Sequence, residues 1–232
     1  MKNLLILFCL IFVSFSANSQ IIISLLLGDK LNSDKIEFGL DGGMNYSSLN
    51  GIDHAKYESN FNLGFYFDFK MKNPNWMINT GVIVKSTMGA KNISVYSLNN
   101  PDLDNSFAGG TVYRYLDYFN VPFLMKYKFK NNFFVKAGPQ FGLLYNATDV
   151  FRNTVDDNDL EYKLKIKKQF HPLDAGVVIG TGYRLRKGNG MNLGIHYYYG
   201  LVDVLISDNS PALINKSIYF NVGIPIGIGK KK

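Results

Sequence analysis

Large apolar residues recur at every second position in several stretches of the chain. From Phe61 to Met71 every odd position is large and apolar, whereas the even positions hold Asn62, Gly64, Tyr66, Asp68 and Lys70. A period of two is that of an extended strand, whose side chains alternate between faces, and about eleven residues is the length of a tilted strand that crosses a membrane. The alternation returns in residues 36–47, where Ile36, Phe38, Leu40, Met44 and Tyr46 oppose Glu37, Gly39, Asp41, Gly43 and Asn45, with Gly42 as the exception. It returns again in residues 193–201 and 218–228, and weaker copies occupy 76–88, 121–129, 133–145 and 174–185. The pattern predicts about eight antiparallel strands. Beyond residue 35 no apolar run reaches the roughly 18 residues that a membrane-crossing helix needs.

The links between these segments alternate in length. Asn73-Pro74-Asn75, Lys130-Asn131-Asn132 and residues 186–190 are tight turn sequences after the second, fourth and sixth segments, whereas 48–59, 92–110, 148–170 and 207–215 are longer. Short and long links in strict alternation, with an even strand count, predict an all-β, eight-stranded antiparallel up-and-down transmembrane β-barrel with both termini in the periplasm.

Alternation alone does not say which face is inside. A soluble barrel would put abundant Lys and Glu on its polar face; here that face is largely Gly, Asn and Tyr with scattered charges, including Gly39, Gly64, Gly138, Gly142, Gly176, Gly180 and Gly182. Small residues suit a crowded interior, so the apolar face is expected to meet lipid. Phe67, Phe69, Trp76, Tyr127, Phe129 and Tyr183 near the short turns, and Tyr46, Tyr113, Tyr115, Tyr145 and Tyr199 near the long links, are the expected interfacial girdles. The inward face then holds Glu37, Asp41, Asp68, Lys70, Lys85, Lys126, Lys128, Lys136, Asp174 and Arg184. Both signs are present. An unpaired buried charge costs several kcal/mol, so these groups are expected to pair and fill the lumen, an ion or proton path being the alternative.

The first nineteen residues read as a secretory signal: Lys2 is basic, residues 4–15 are apolar, and Ala17-Asn18-Ser19 is a small-x-small cleavage site. Residues 20–35 are expected to form a periplasmic segment, 36–229 the barrel domain and 230–232 a basic tail. A second apolar run, residues 21–27, is stopped by Gly28-Asp29-Lys30 short of a spanning helix. Cys9, the only cysteine, lies within the signal, so the mature chain has neither a disulfide nor a lipidated cysteine. The formal charge of +7 would suggest nucleic acid in a cytosolic protein, but export removes that partner. Much of the excess lies in Lys163, Lys165, Lys167 and Lys168, for which a solvated charge run and contact with anionic lipid headgroups are the two readings.

Several segments resemble the PorT-like family of outer-membrane β-barrel domains. They are residues 38–45 (FGLDGGMN), 121–127 (VPFLMKY), 135–139 (VKAGP), 180–183 (GTGY), 198–201 (YYGL) and the last strand from Ile218. The resemblance implies a barrel domain without an assigned activity, and some relatives are associated with type IX protein secretion. The chain departs from many barrels in ending on Lys230-Lys231-Lys232 rather than on an aromatic residue.

No catalytic constellation emerges. His54, His171 and His196 lie in separate segments, Gly-x-Ser-x-Gly is absent, and Asp156, Asp157 and Asp159 lack the glycine and distal glutamate of a calcium loop. Gly188-Asn189-Gly190 precedes no helix with Lys-Ser/Thr, so no nucleotide cofactor is expected. The expectation is a non-enzymatic structural or interaction barrel in the outer membrane. Its partners would be outer-membrane lipid and other envelope or secretion proteins. A secretion or envelope complex, an outer-leaflet lipid-modifying enzyme and a narrow channel are the alternatives.

Overall fold

The computed structural model describes residues 32–185, 190–207 and 211–226. The expected signal sequence, the run at 21–27, most of the sixth link and the terminal lysines lie outside them. Nine strands follow in order: β1 (Ile36–Asn50), β2 (Glu58–Lys70), β3 (Trp76–Ile93), β4 (Thr111–Lys128), β5 (Phe133–Val155), β6 (Asn158–Lys165), β7 (Leu173–Arg184), β8 (Asn192–Gly200) and β9 (Ile214–Pro225). One helix, α1 (Pro101–Phe107), lies between β3 and β4, and a short 3-10 turn occupies Lys167–Gln169.

All pairings are antiparallel, in the order β4-β3-β2-β1-β9-β8-β7-β5-β6, and a further β4–β5 pairing closes the sheet. The ring therefore has eight strands, and β6 stands outside it. The strand β5 explains the arrangement: its first half pairs with β7 from Phe133↔Tyr183 to Leu143↔Leu173, and its second half pairs with β6 from Thr148↔Lys165 to Val155↔Asn158. At the long-loop end β4, β5 and β6 thus rise beyond the ring as a projecting ribbon.

The outer wall of the ring is apolar. Phe61, Phe123, Phe141 and Ile179 are 51%, 54%, 55% and 68% exposed, a continuous band far beyond what water-soluble surfaces carry. Aromatic contacts border it at both ends. Trp76–Tyr127 (4.8 Å), Tyr127–Phe129 (4.9 Å) and Phe133–Tyr183 (5.5 Å) lie near the short turns, and Phe119–Tyr145 (4.5 Å) and Tyr46–Phe220 (6.0 Å) near the long loops. The polar face is the buried one, with Asn62, Gly64, Tyr66 and Asp68 of β2 all turned inward. Glycine on that face makes room for rings on the next strand. A Cβ at Gly39 would come within 2.4 Å of the Tyr66 ring, one at Gly176 within 2.6 Å of Tyr198, and one at Gly182 within 2.3 Å of Phe134.

Three expectations change. The segment expected at 121–129 begins at Thr111, and that expected at 133–145 runs on to Val155. Residues 148–170 are not a loop but mostly the β5–β6 hairpin. The added lengths were hidden because their polarity is reversed: along β4, Val112 and Leu116 point inward and are fully buried, while Tyr113 and Tyr115 face out above the apolar band.

Candidate functional site

The lumen is built in layers. At the short-turn end Arg184 Nη1 lies 2.8 Å from Glu37 Oε2, Tyr66 donates its hydroxyl to Glu37 (3.0 Å), and Asn192 donates to the Tyr66 oxygen (3.2 Å). Beside this group Lys126 is ion-paired to Asp68 at 2.6 Å, with side chains 5% and 1% exposed. Asn79 occupies the second carboxylate oxygen of Asp68 (2.7 Å), and the Lys126 ammonium stands 4.5 Å over the Phe134 ring. A pair taken out of water this far is stable only when the remaining lone pairs are satisfied, and Asn79 does that here.

Farther in, Asn221 donates to Asp41 (2.8 Å). Asp41 and Lys136 line a void of about 40 Å³ together with Tyr66, Asn79, Lys126 and Asn221. That volume holds a few waters at most. Above it His196 stacks on Tyr219 with ring centroids 4.6 Å apart, Ser86 bonds the Tyr219 hydroxyl (3.0 Å), and Asn120 donates to Ser86 (2.9 Å). Asp174, 1% exposed, accepts from Asn215 (2.9 Å), which also reaches Tyr118 (3.3 Å). Tyr118, Tyr198 and Tyr219 have at most 1% exposure and plug the cross-section.

Beyond that layer the interior turns apolar. Leu49, Met88, Leu116, Leu144, Phe151, Phe170, Val204 and Leu213 form a core beneath the long loops. Phe107 of α1 inserts against Phe151 (6.0 Å), and Tyr96 packs on the same ring (5.0 Å). The helix begins sharply because Asn100 caps the amides of Asp102 and Leu103 and Pro101 occupies its first turn. Asp104 ties the preceding loop down by accepting from the Ser97 hydroxyl (2.7 Å) and the Leu98 amide (2.6 Å), and these bonds hold its carboxyl below the usual range. One ion pair crosses this core: Arg114 grips Asp149 through two bonds of 2.6 and 2.8 Å, Tyr96 donates to the same carboxylate (2.8 Å), and the guanidinium covers Phe170. Arg114 and Asp149 escaped the sequence reading. The alternation Val112, Arg114, Leu116, Tyr118 carries their signal, but its apolar residues face in, opposite to those of the segments at membrane level.

Of the ten charges expected in the lumen, Glu37, Arg184, Asp68, Lys126, Asp41, Lys136 and Asp174 line it as described. Lys128 is half-buried near the short-turn mouth, and Lys70 is exposed at the same end, its ammonium on the Asp34 carbonyl (3.0 Å). Lys85 is a correction. A β-bulge shifts β3 by one residue between Ile83 and Ser86, so that Lys85 pairs with the outward Leu63 and its ammonium sits 5.8 Å over the exposed Phe61 ring. A bulge reverses the faces of all later residues in its strand. His54 and His171 lie on the exposed surface of separate loops, and His196 is buried.

A family model described as outer membrane protein beta-barrel domain matches residues 27–205. No curated protein sequence matches significantly. Solved structures of similar fold include Ail, the attachment invasion locus protein of Yersinia pestis, in complex with the heparin analogue sucrose octasulfate: 9% identity, 82% of this chain and 97% of that chain covered, TM-score 0.40. OprG from Pseudomonas aeruginosa has 12% identity, covers 82% and 93%, and has a TM-score of 0.36. AlkL, solved in lipid bilayers, has 12% identity, covers 87% and 96%, and has a TM-score of 0.38.

Proposed function

The chain belongs to the outer membrane protein β-barrel domain family, and from that premise we propose that it is a closed outer-membrane barrel that acts as an interaction protein through its long loops. The observation that carries this reading is the double closure of the lumen: paired charges and tyrosines fill it at membrane level, and the core around Phe107 and Phe151 seals it beneath the loops. With the interior occupied, the surfaces left for recognition are the loops and the projecting β4–β5–β6 ribbon. We place the short turns and both termini in the periplasm, and the loops outside. The three histidines occupy separate places, and we assign the chain no catalysis.

Folded barrel in planar bilayers is expected to show no conductance; a stable ohmic channel would overturn the closed-lumen reading. In mild-detergent pull-downs, shortening the β5–β6 hairpin is expected to release bound partners while heat-modifiable mobility is retained. Partners held equally by the shortened protein would place recognition elsewhere.

A second reading is a PorT-like component of a secretion complex. Its support is the resemblance of residues 121–127, 135–139 and 180–183 to PorT-like barrel domains, some of which are associated with type IX secretion. Co-purification with a reproducible set of envelope proteins is the outcome it requires.

A further inference from the structure

Charge is sorted by height along the β5–β6 hairpin. Its tip carries Asp156, Asp157 and Asp159; its foot and the turn that follows carry Lys163, Lys165, Lys167 and Lys168, all exposed. Within β6 the lysines alternate with Leu160, Tyr162 and Leu164, which pack on the apolar core, so Lys163 and Lys165 are turned outward by the same periodicity that buries their neighbours. One carboxylate, Glu161, meets Lys163 (3.0 Å), and it is shared with Arg152 (3.1 Å). The hairpin therefore presents a basic foot with little acid to neutralise it.

The foot adjoins the top of the apolar band. Lys165 pairs with Thr148, and the Ile166 amide bonds the Ala147 carbonyl (3.0 Å). Just below on β5, Tyr145 stacks on Phe119, and below that Leu143 pairs with Leu173, which is 65% exposed. Three residues of a tilted strand rise about 8 Å. That sets Lys165 at the outer edge of the headgroup layer, which adds roughly 5–7 Å on each side of a bilayer, and its long side chain can turn back down to it; Lys163, paired with Val150, stands two residues higher. A run of lysines serving only to keep the surface soluble has no reason to gather at that height while the acids gather at the tip.

We propose that Lys163, Lys165, Lys167 and Lys168 dock on the phosphates of anionic lipids in the outer leaflet and hold the hairpin upright against the membrane. The occupant is a bilayer headgroup rather than a soluble polyanion, because the lysines stand next to lipid-facing Tyr145 and Leu173, and a polymer approaching from solution would meet the acidic tip first. The assignment rests on the family's membrane location and on the orientation proposed above, with the loops outside, and it holds whether or not the loops bind a protein partner.

The test uses the whole mature barrel in nanodiscs of phosphatidylcholine, with and without phosphatidylglycerol. Acylation of the four lysines, read by mass spectrometry, is expected to fall several-fold in the anionic discs and to recover at high salt. Equal labelling in both discs overturns the proposal, as does protection by dextran sulfate without protection by phosphatidylglycerol. Replacing all four lysines by Gln is expected to cut co-purified phosphatidylglycerol roughly tenfold or more, on the scale of polybasic membrane attraction. Asp156→Asn with Asp157→Asn is expected to leave it unchanged. If the four-Gln protein folds by gel mobility and retains the same lipid, the proposal fails; if it does not fold, the labelling comparison decides alone.

Discussion

The two halves of the interior obey opposite rules. Where the apolar band surrounds the sheet, the inside is polar: Glu37, Arg184, Asp68 and Lys126 pair in a lumen packed with Asn and Tyr. Where the strands rise past Tyr145, the inside is Leu116, Phe151, Phe170 and Leu213, and the outside carries Arg152, Glu161 and lysines. The pairing of β4 with β5 runs through both, from Thr111↔Arg152 to Lys128↔Phe134, with one irregularity at Asp117/Tyr118. What changes is the solvent outside. Lipid accepts apolar side chains on the wall and leaves the polar ones to satisfy one another inside; water reverses that choice, and the ribbon beyond the ring folds like an ordinary soluble sheet.

The contrast can be broken at several points. The largest effect is expected from Lys126→Leu, which strands Asp68 in the lumen and should cost about 3–5 kcal/mol in urea-driven unfolding from detergent. Asp68→Leu added to it should recover much of that loss, because the orphaned charge is then gone; no recovery would mean that the pair is not the coupled unit described. In the upper half, Phe107→Ala should cost about 3–5 kcal/mol of local packing, seen as protease cleavage within residues 94–110 while heat-modifiable mobility persists. Loss of both together would show that cap and ring unfold as one.

Substitutions on the outer wall sharpen the boundary. Ile179→Lys, 68% exposed at the middle of β7, should destabilise the barrel by about 2–4 kcal/mol, whereas Val155→Lys at the hairpin tip should cost no more than about 1 kcal/mol. Equal costs would place both positions in the same solvent. The smallest effect belongs to pH. Hydrogen bonds from Ser97 and Leu98 hold the Asp104 carboxyl below its ordinary 3.8, so its contribution is complete above that value and is lost as pH falls through the depressed one. Hydrogen exchange at the Leu98 amide should accelerate across that acidic window, and Asp104→Asn should remove the pH dependence.

Within the lumen, residue type foretold more than contact. Glu37, Asp68 and Lys126 could be assigned to the inside from alternation, since each stands opposite Phe or Met in its strand. Which cation would meet which carboxylate could not, because Glu37 and Arg184 are 147 positions apart and their meeting depends on closure of the ring. Lys85 was misplaced for a related reason. The bulge between Ile83 and Ser86 shifts the phase of the alternation just where the apolar residues give out, at Lys85, Ser86 and Thr87, and it is the pairing of Leu63 with Lys85, across strands, that shows the lysine turned outward.

By itself, the sequence determined the all-β character, the strand segments at membrane level and the outward direction of the apolar face, because a two-residue period and a glycine-rich polar face are local properties of the chain. Only the tertiary structure decided that β6 leaves the ring, that β4 and β5 continue into water, and that Arg114 and Asp149 meet beneath the loops. Those features depend on where the lipid ends. A strand that crosses this boundary, as β4 does, keeps one face buried throughout, but that face is polar at membrane level and apolar above it.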